Sequence, residues 1–129
     1  MKKRSAALLF IVALVSLLAL TACGAVSDLK LVGDAGKAFM AAMEKQDSAA
    51  TWGMMITPLQ DDIGSYDAWD GYVQSFQFTE AKFNSTNIEN NIGYLDGTAK
   101  VDGDTYAVNL VFDKVDSGWM LSGLNFELQ

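Results

Sequence analysis

The hydrophobic positions of this chain change their spacing twice along its length. Residues 6–20 form an almost unbroken apolar run. From Asp34 the apolar residues recur at the three- and four-residue intervals of a helix that is buried on one face. They are Ala35, Ala38, Phe39, Ala42 and Met43. After Phe76 the period falls to two, which is typical of half-buried strands. The pattern predicts an apolar leader, then helices, then a sheet.

Two of the helices are predicted in the first half of the chain. The first begins at Asp34, a residue type that favours the N-cap position. A polar break at 46–48 separates it from a second, short helix, which is capped by Asp47 or Ser48. Thr57-Pro58 is predicted to end this second helix, because a proline disfavours a helical residue before it.

A third helix is predicted after a polar connection at 60–64. It starts near Ser65, and its apolar residues are spaced three, four and three apart. Gly71 weakens this prediction, because a glycine inside a helix costs about 1 kcal/mol relative to alanine. The apolar residues of this helix are Tyr66, Trp69, Val73 and Phe76.

Four strands are predicted near 77–87, 92–101, 104–114 and 118–127. Asp102-Gly103 indicates a tight hairpin between two of them, because both residue types tolerate positive φ. Asp116-Ser117-Gly118 marks the next hairpin. The first two strands alternate less cleanly than the third, and a β-bulge around Thr79–Lys82 would account for this.

One face of the third strand is strongly apolar. Its residues are Tyr106, Val108, Leu110 and Phe112, and they lie opposite Thr105, Ala107, Asn109 and Asp113. This face is expected to pack on the helices. Helices followed by an antiparallel meander predict an α+β domain with the helices on one face of the sheet.

The apolar segment 6–20 follows the basic start Met1-Lys2-Lys3-Arg4, which is the layout of a secretory signal peptide. The segment is shorter than the roughly 20 apolar residues that a helix needs to cross a bilayer. The alternative is a membrane anchor that is not cleaved. The short length of the apolar segment favours a signal peptide that is cleaved.

Leu20-Thr21-Ala22-Cys23 ends this segment and contains the one cysteine of the sequence. It resembles the bacterial lipobox, which implies cleavage between Ala22 and Cys23 and attachment of diacylglycerol to the Cys23 thiol. Two or three acyl chains give stable anchoring. The alternative is a buried free cysteine. We expect a signal peptide at 1–22, a lipidated cysteine and short tether at 23–33, and a domain at 34–129.

The net charge and the composition exclude several classes of function. The full sequence has a net charge of −7, and residues 1–22 contain three basic residues and no acidic one. Removal of residues 1–22 therefore changes the net charge to −10. Nucleic-acid binding is not expected, because Lys and Arg supply most of that affinity. The sequence has no histidine, which removes Ser-His-Asp and Cys-His catalysis. Asp96, Asp102 and Asp104 lack the spacing of a calcium loop, and we expect neither metal nor cofactor.

The order of helices, breaks and strands in residues 34–129 resembles a known domain type. The pattern is similar to the NTF2-like, cystatin-type domains of many bacterial lipoproteins. The features that carry the likeness are Phe39 in the first helix, the break at 47–50, the Thr57-Pro58-Leu59 stop and the closing strands. The strand segments that carry the resemblance are 97–101, 108–110 and 118–121. The resemblance implies helices packed on a curved four-stranded antiparallel sheet, often with a conical pocket.

Aromatic residues are the candidates for lining such a pocket. They are Trp52, Trp69, Tyr72, Phe76, Tyr106, Phe112 and Trp119. The sequence favours a core role for them, because aromatic side chains dominate burial in small domains, and it leaves a pocket open as the alternative.

Two functions are compatible with this sequence. The first is a membrane-anchored envelope lipoprotein, located at the cell membrane or an outer membrane and facing outside the cytoplasm. Its domain would bind a partner protein or a small apolar ligand without catalysis. The second is a small pocket enzyme, similar to NTF2-like isomerases and dehydratases, with a buried carboxylate as base. Asp67 and Asp70 are the candidate bases.

Overall fold

The computed structural model of this protein describes residues 27–116 and 118–129. The predicted signal peptide, Ala22 and Cys23 lie outside the described residues, as does Ser117 of the second predicted hairpin. Helix α1 occupies 27–44, and three shorter helices follow it. They are α2 (Ser48–Gly53), α3 (Thr57–Ile63) and α4 (Tyr66–Ser75). The strands are β1 (Phe78–Glu89), β2 (Ile92–Val101), β3 (Asp104–Val115) and β4 (Gly118–Leu128).

Helix α1 includes residues 27–33 of the predicted tether. Residues 27–33 are helical and Val32 is fully buried, so the predicted helix start at Asp34 is wrong. Asp34 lies inside α1, where its carboxylate pairs with the ammonium of Lys30 at 3.0 Å. Gly33, directly before the predicted start, disfavours a helix locally, because glycine is a poor helix former. Gly36 is accommodated by packing, since a Cβ there would overlap the side chain of Leu95.

The short helices begin at local signals, one of which we misinterpreted. The Asp47 carboxylate accepts a hydrogen bond from the Ala50 backbone N–H at 3.1 Å, as predicted for the cap of α2. Pro58 was predicted to be followed by a polar connection, and this is wrong, because Pro58 stands in the first turn of α3. A first-turn N–H needs no partner within the helix, so proline is well tolerated there.

Helix α4 confirms the third predicted helix. The Ser65 hydroxyl accepts a hydrogen bond from the backbone N–H of Ala68 at 3.1 Å, and Trp69 and Val73 are the buried residues of the helix. Gly71 does not break it.

The four strands form one antiparallel sheet in the order β1-β2-β3-β4. Asp102 and Gly103 both have positive φ, at 51° and 91°, which confirms the predicted hairpin. The register of β1 shifts between Thr79 and Lys82, where the bulge was predicted. Glu80 within that stretch also has positive φ.

One face of the sheet carries the core. Val108, Leu110 and Phe112 of β3 are buried, and they pack in one cluster with Phe39 and Met43 of α1. The fold class is therefore confirmed as α+β, with the helices on one face of a curved four-stranded antiparallel sheet. In the described ranges, no helix is both long and apolar enough to cross a membrane.

Candidate functional site: an apolar cavity beside strand β4

A cavity of about 360 Å³ lies where α3 and α4 meet strand β4. Its wall is mainly aliphatic and aromatic. The lining residues are Ile63, Ala68, Trp69, Tyr72, Leu124, Asn125 and Phe126. The volume lies in the range of about 300–1,000 Å³ that is typical of small-molecule sites. The cavity is therefore large enough to hold an apolar group.

The helical side of the cavity is held by stacked rings. Trp69 and Tyr72 stack with 5.6 Å between ring centroids and 20° between planes. Trp69 also stacks on Phe39 of α1 at 6.4 Å, and its indole N–H donates to the hydroxyl of Thr51 at 2.8 Å. The indole thus has packing contacts and a hydrogen bond, which fix the position of this wall.

Tyr72 is the polar side chain of the aromatic wall. Burial raises the pKa of its phenol above the ordinary value of 10.0, and the neighbouring Tyr106 raises the pKa further. The desolvated phenolate is disfavoured in this position. The phenol is therefore neutral at physiological pH and carries an O–H that can donate a hydrogen bond.

Asn125 belongs to the lining set, but its side chain lies on the outer face of the sheet, because it alternates with the inward-facing Leu124 and Phe126. Its side-chain Nδ2 donates to Asn109 Oδ1 at 3.5 Å, and the Asn109 amide donates to the Asp96 carboxylate at 2.6 Å. These three side chains form a row across β4, β3 and β2. The side-chain amide of Asn125 is thus committed to this row.

The structure distributes the seven predicted aromatic residues between the cavity and the core. Trp69 and Tyr72 line the cavity. Phe112 is buried in the core. The remaining four are partly buried and packed against the core: Trp52, Phe76, Tyr106 and Trp119.

Five lining residues were not among our sequence candidates. Leu124 and Phe126 alternate along β4, a pattern that indicates an inner face and not a cavity. Ile63 lies in the segment 60–64, which the sequence predicted to be a polar connection. Ala68 and Asn125 carry no sequence signal for a cavity wall.

The candidate bases Asp67 and Asp70 are on α4, and neither belongs to the cavity lining. The Asp70 carboxylate accepts hydrogen bonds from the Ser48 hydroxyl at 2.5 Å and from the Gln74 side-chain amide at 3.4 Å. Asp67 is exposed in the first turn of the helix. Asp70 therefore connects α4 to α2.

Within 27–116 and 118–129 no three Asp, Glu, Cys or His side chains come together as a metal site would require. Asp102 stands in the β2–β3 hairpin, where its positive φ serves the turn. Asp104 begins β3, opposite Val101.

Comparisons with known proteins identify the fold. No family model and no curated protein matches the chain. Among solved structures, a protein of the NTF2-like family from Streptomyces avermitilis, proposed to be a dehydratase, superposes with a TM-score of 0.64 at 15% identity, over 80% of this chain and 96% of that one. A DUF4783 family protein from Bacteroides ovatus superposes with a TM-score of 0.56 at 10% identity, over 71% of this chain and 93% of that one.

These similarities define the class of architecture. The described domain has an NTF2-like fold, as the sequence resemblance implied. At identities of 15% and 10% the agreement lies in the fold, and fold does not determine function.

Proposed function

We propose that this protein is a membrane-anchored envelope lipoprotein whose NTF2-like domain binds a small apolar ligand without catalysis. The observation that carries the binding proposal is the cavity of about 360 Å³ between α3, α4 and β4. Cys23 supplies the lipid attachment point. The domain faces outside the cytoplasm, at the cell membrane or an outer membrane.

The composition of the cavity wall supports an apolar ligand. Ile63, Leu124 and Phe126 offer aliphatic and aromatic surface, whose removal from water drives binding at about 25 cal/mol per Å². The neutral Tyr72 phenol supplies a hydrogen-bond donor near this surface. A ligand with an apolar body and one hydrogen-bond acceptor matches this arrangement.

Binding is favoured over catalysis by the chemistry of the lining residues. The pocket enzyme considered from sequence requires a carboxylate base within reach of its substrate. The described lining contains no Asp or Glu, and Asp70 is engaged by Ser48 and Gln74. The Streptomyces avermitilis protein is a proposed dehydratase, but the similarity to it brings no catalytic residue to this chain.

The cavity is favoured over the sheet as the binding site. The outer face of the sheet presents the hydrogen-bonded row of Asp96, Asn109 and Asn125, whose polar atoms already pair with one another. A protein partner would have to displace or cover these groups, which carries a desolvation cost. In the cavity this cost is confined to the Tyr72 phenol, which can donate its hydrogen bond to the ligand.

Ligand binding can be tested with N-phenyl-1-naphthylamine, an uncharged apolar dye that fluoresces on leaving water. We expect saturable binding to the protein. Ala68→Phe, which places a ring in the cavity, should abolish it, whereas Ala38→Phe on the exposed surface of α1 should leave it unchanged. Equal binding by both variants would show that the dye occupies another site.

The anchor can be tested by fractionation. Cys23→Ala removes the thiol that would receive diacylglycerol, and we expect the variant to leave the membrane fraction. Gly24→Ala, which keeps the thiol, is the matched control and should remain with membranes. Persistence of the Cys23→Ala protein in membranes would refute the lipid anchor.

A further inference from the structure

The edge of strand β4 is open along its second half. β4 is the last strand in the order β1-β2-β3-β4, so one of its sides pairs with no other strand of the sheet. Residues 54–56 cover this side at Leu121, whose N–H donates to the Met54 carbonyl at 2.8 Å and whose carbonyl accepts from the Ile56 N–H at 2.9 Å. Among the described residues, no other backbone hydrogen bond reaches this edge. The stretch from Leu124 to Leu128, which we call the open edge, can therefore pair with a further strand.

The direction of the backbone groups on the open edge follows from the end of the strand. The Gln129 N–H donates to the Thr105 carbonyl of β3 at 3.0 Å. In an antiparallel pair every second residue bonds to the partner strand, so Glu127 and Asn125 also direct their backbone groups to β3. The residues that alternate with them direct their N–H and C=O groups away from β3. They are Leu124, Phe126 and Leu128.

The apolar cavity reaches the open edge. Leu124, Asn125 and Phe126 are consecutive residues, and all three line the cavity. Successive side chains of a strand point to opposite faces, so a cavity confined to the inner face would touch only alternate residues. Leu128, which is 59% exposed, continues the same edge. Unpaired backbone groups and an apolar cavity thus lie side by side.

The other edge of the sheet is built differently. The register of β1 shifts between Thr79 and Lys82 and again between Phe83 and Ser85. Bulges and charged side chains are the usual means by which proteins keep an edge strand from pairing with another chain. The pairing of β3 with residues 123–128 has no such shift, and this stretch contains a single charged residue, Glu127. The open edge of β4 therefore lacks the protection that β1 has.

The elements around the cavity carry only negative charge. The sequences of α3, α4 and β4 contain five acidic residues and neither Lys nor Arg. Asp62 and Asp67 are exposed, and they directly precede the lining residues Ile63 and Ala68. Surface charge of one sign attracts partners of the other sign and disfavours partners of the same sign. A partner that enters beside these carboxylates is therefore expected to carry basic residues.

We propose that the open edge binds an extended peptide by strand addition, with one apolar side chain of the peptide in the cavity and Lys or Arg residues on either side of it. Backbone hydrogen bonds to Leu124, Phe126 and Leu128 would supply affinity, and the cavity would select the apolar side chain. This inference rests on the proposed function and identifies the apolar occupant of the cavity as part of a peptide.

The test uses the full chain and the fluorescein-labelled peptide Thr-Lys-Val-Phe-Val-Lys-Thr, followed by fluorescence anisotropy. In an extended peptide the phenylalanine and both lysines lie on one face. We expect saturable binding, and replacement of the phenylalanine by serine should weaken it about tenfold or more, because the apolar side chain no longer leaves water. Equal affinity of the serine peptide would overturn the placement of the side chain in the cavity.

Two N-methylated forms of the same peptide test strand addition directly. Each form is methylated on one alternate set of backbone nitrogens, so that each removes the N–H groups from one side of the extended peptide. We expect one form to lose binding and the other to retain it, because only one side of an added strand bonds to β4. Equal binding of both forms and of the unmethylated peptide would overturn strand addition.

The charge of the partner is tested on the protein. Asp62→Asn combined with Asp67→Asn should weaken peptide binding severalfold, since an exposed ion pair contributes up to about fivefold in affinity. Asp113→Asn combined with Asp116→Asn, at the end of β3 away from the cavity, is the matched control and should leave binding unchanged. An equal loss in both double variants would overturn the placement of the basic residues beside the cavity.

The dye N-phenyl-1-naphthylamine separates this inference from the proposed function. We expect the peptide to displace the dye, and Ala68→Phe to abolish the binding of both. Dye binding that Ala68→Phe abolishes, together with no binding of the peptide, would overturn strand addition alone and leave a small ligand in the cavity. Dye and peptide binding that are both unaffected by Ala68→Phe would overturn the cavity as the site, and with it both proposals.

Discussion

The indole nitrogen of Trp69 donates a 2.8 Å hydrogen bond to the hydroxyl oxygen of Thr51, and both side chains are buried. The bond joins α4 to α2 directly behind the cavity wall. The Thr51 hydroxyl has the backbone carbonyl oxygens of Asp47 and Ser48 as acceptors for its own proton, at 3.1 and 3.0 Å. The buried polar groups of both residues are therefore satisfied.

Thr51→Val should destabilise the domain. Valine keeps the shape of threonine and removes the hydroxyl, so the buried Trp69 N–H loses its acceptor. Leaving such a donor unpaired costs about 1–3 kcal/mol, which urea titration would detect as a lower free energy of unfolding. Thr51→Ser keeps the hydroxyl and is expected to lose only about 1 kcal/mol for one methyl group. A valine variant more stable than the serine variant would contradict this role.

Gly97→Ala should destabilise the sheet. Gly97 is buried on β2 opposite the bulged part of β1, and a Cβ there would overlap the carbonyl oxygen of Lys82 and lie 2.8 Å from the Cα of Phe83. Backbone atoms must shift to relieve this overlap, at a typical cost of about 1–3 kcal/mol. The expected result is a lower midpoint of thermal unfolding, and an unchanged midpoint would mean that β1 passes Gly97 at a greater distance.

Gly71→Ala should stabilise the protein, in contrast to Gly97→Ala, although the chemical change is the same. Gly71 lies inside α4, and a Cβ there would meet nothing within 4 Å. Alanine is favoured over glycine in helices by about 1 kcal/mol, so the free energy of unfolding should rise by up to this amount. A loss of stability in calorimetry would indicate that α4 needs a glycine for a reason other than space.

The sheet could be predicted from sequence because its signals are local. The alternation of Tyr106, Val108, Leu110 and Phe112 identifies the inner face of β3, and Asp102-Gly103 identifies a hairpin by its tolerance of positive φ. Each of these signals lies within a few residues. The strands accordingly match the predicted ranges to within one or two residues at each end.

The start of α1 and helix α3 could not be predicted in the same way. Gly33 disfavours a helix locally, and the turns before Asp34 are held by Val32, which is fully buried and packs at Gly93, a residue distant in sequence. Pro58 is compatible with both the end and the start of a helix. The choice follows the tertiary position of 54–56, where Met54 and Ile56 bond to the backbone of Leu121.

The cavity was partly predictable. Trp69 and Tyr72 were recognised as aromatic candidates, but so were residues that only fill or cover the core, such as Phe112. An inward-facing aromatic residue lines a cavity or fills the core according to how the helices sit over the sheet. That spacing depends on all packed elements together, and the local pattern of α4 or β4 does not contain it.

Tyr72→Phe should reduce the loss of stability at alkaline pH. The pKa of Tyr72 is raised above 10.0 in the folded protein, mainly by burial, so the folded state holds this proton more tightly than the unfolded chain. The contribution to stability is fully present below the unfolded pKa, near 10.0, and is lost as the pH rises through the folded pKa.

Thermal unfolding midpoints measured from pH 8 to pH 12 would therefore fall less steeply in Tyr72→Phe than in the unmodified protein. The window begins where the unfolded tyrosine ionises, at a pKa near 10.0. Tyr94→Phe is the matched control, because Tyr94 is exposed on the other face of the sheet and should leave the slope unchanged. An equal reduction of the slope in both variants would contradict this prediction. It would mean that the raised pKa of Tyr72 is not what makes the unfolding midpoint fall at alkaline pH.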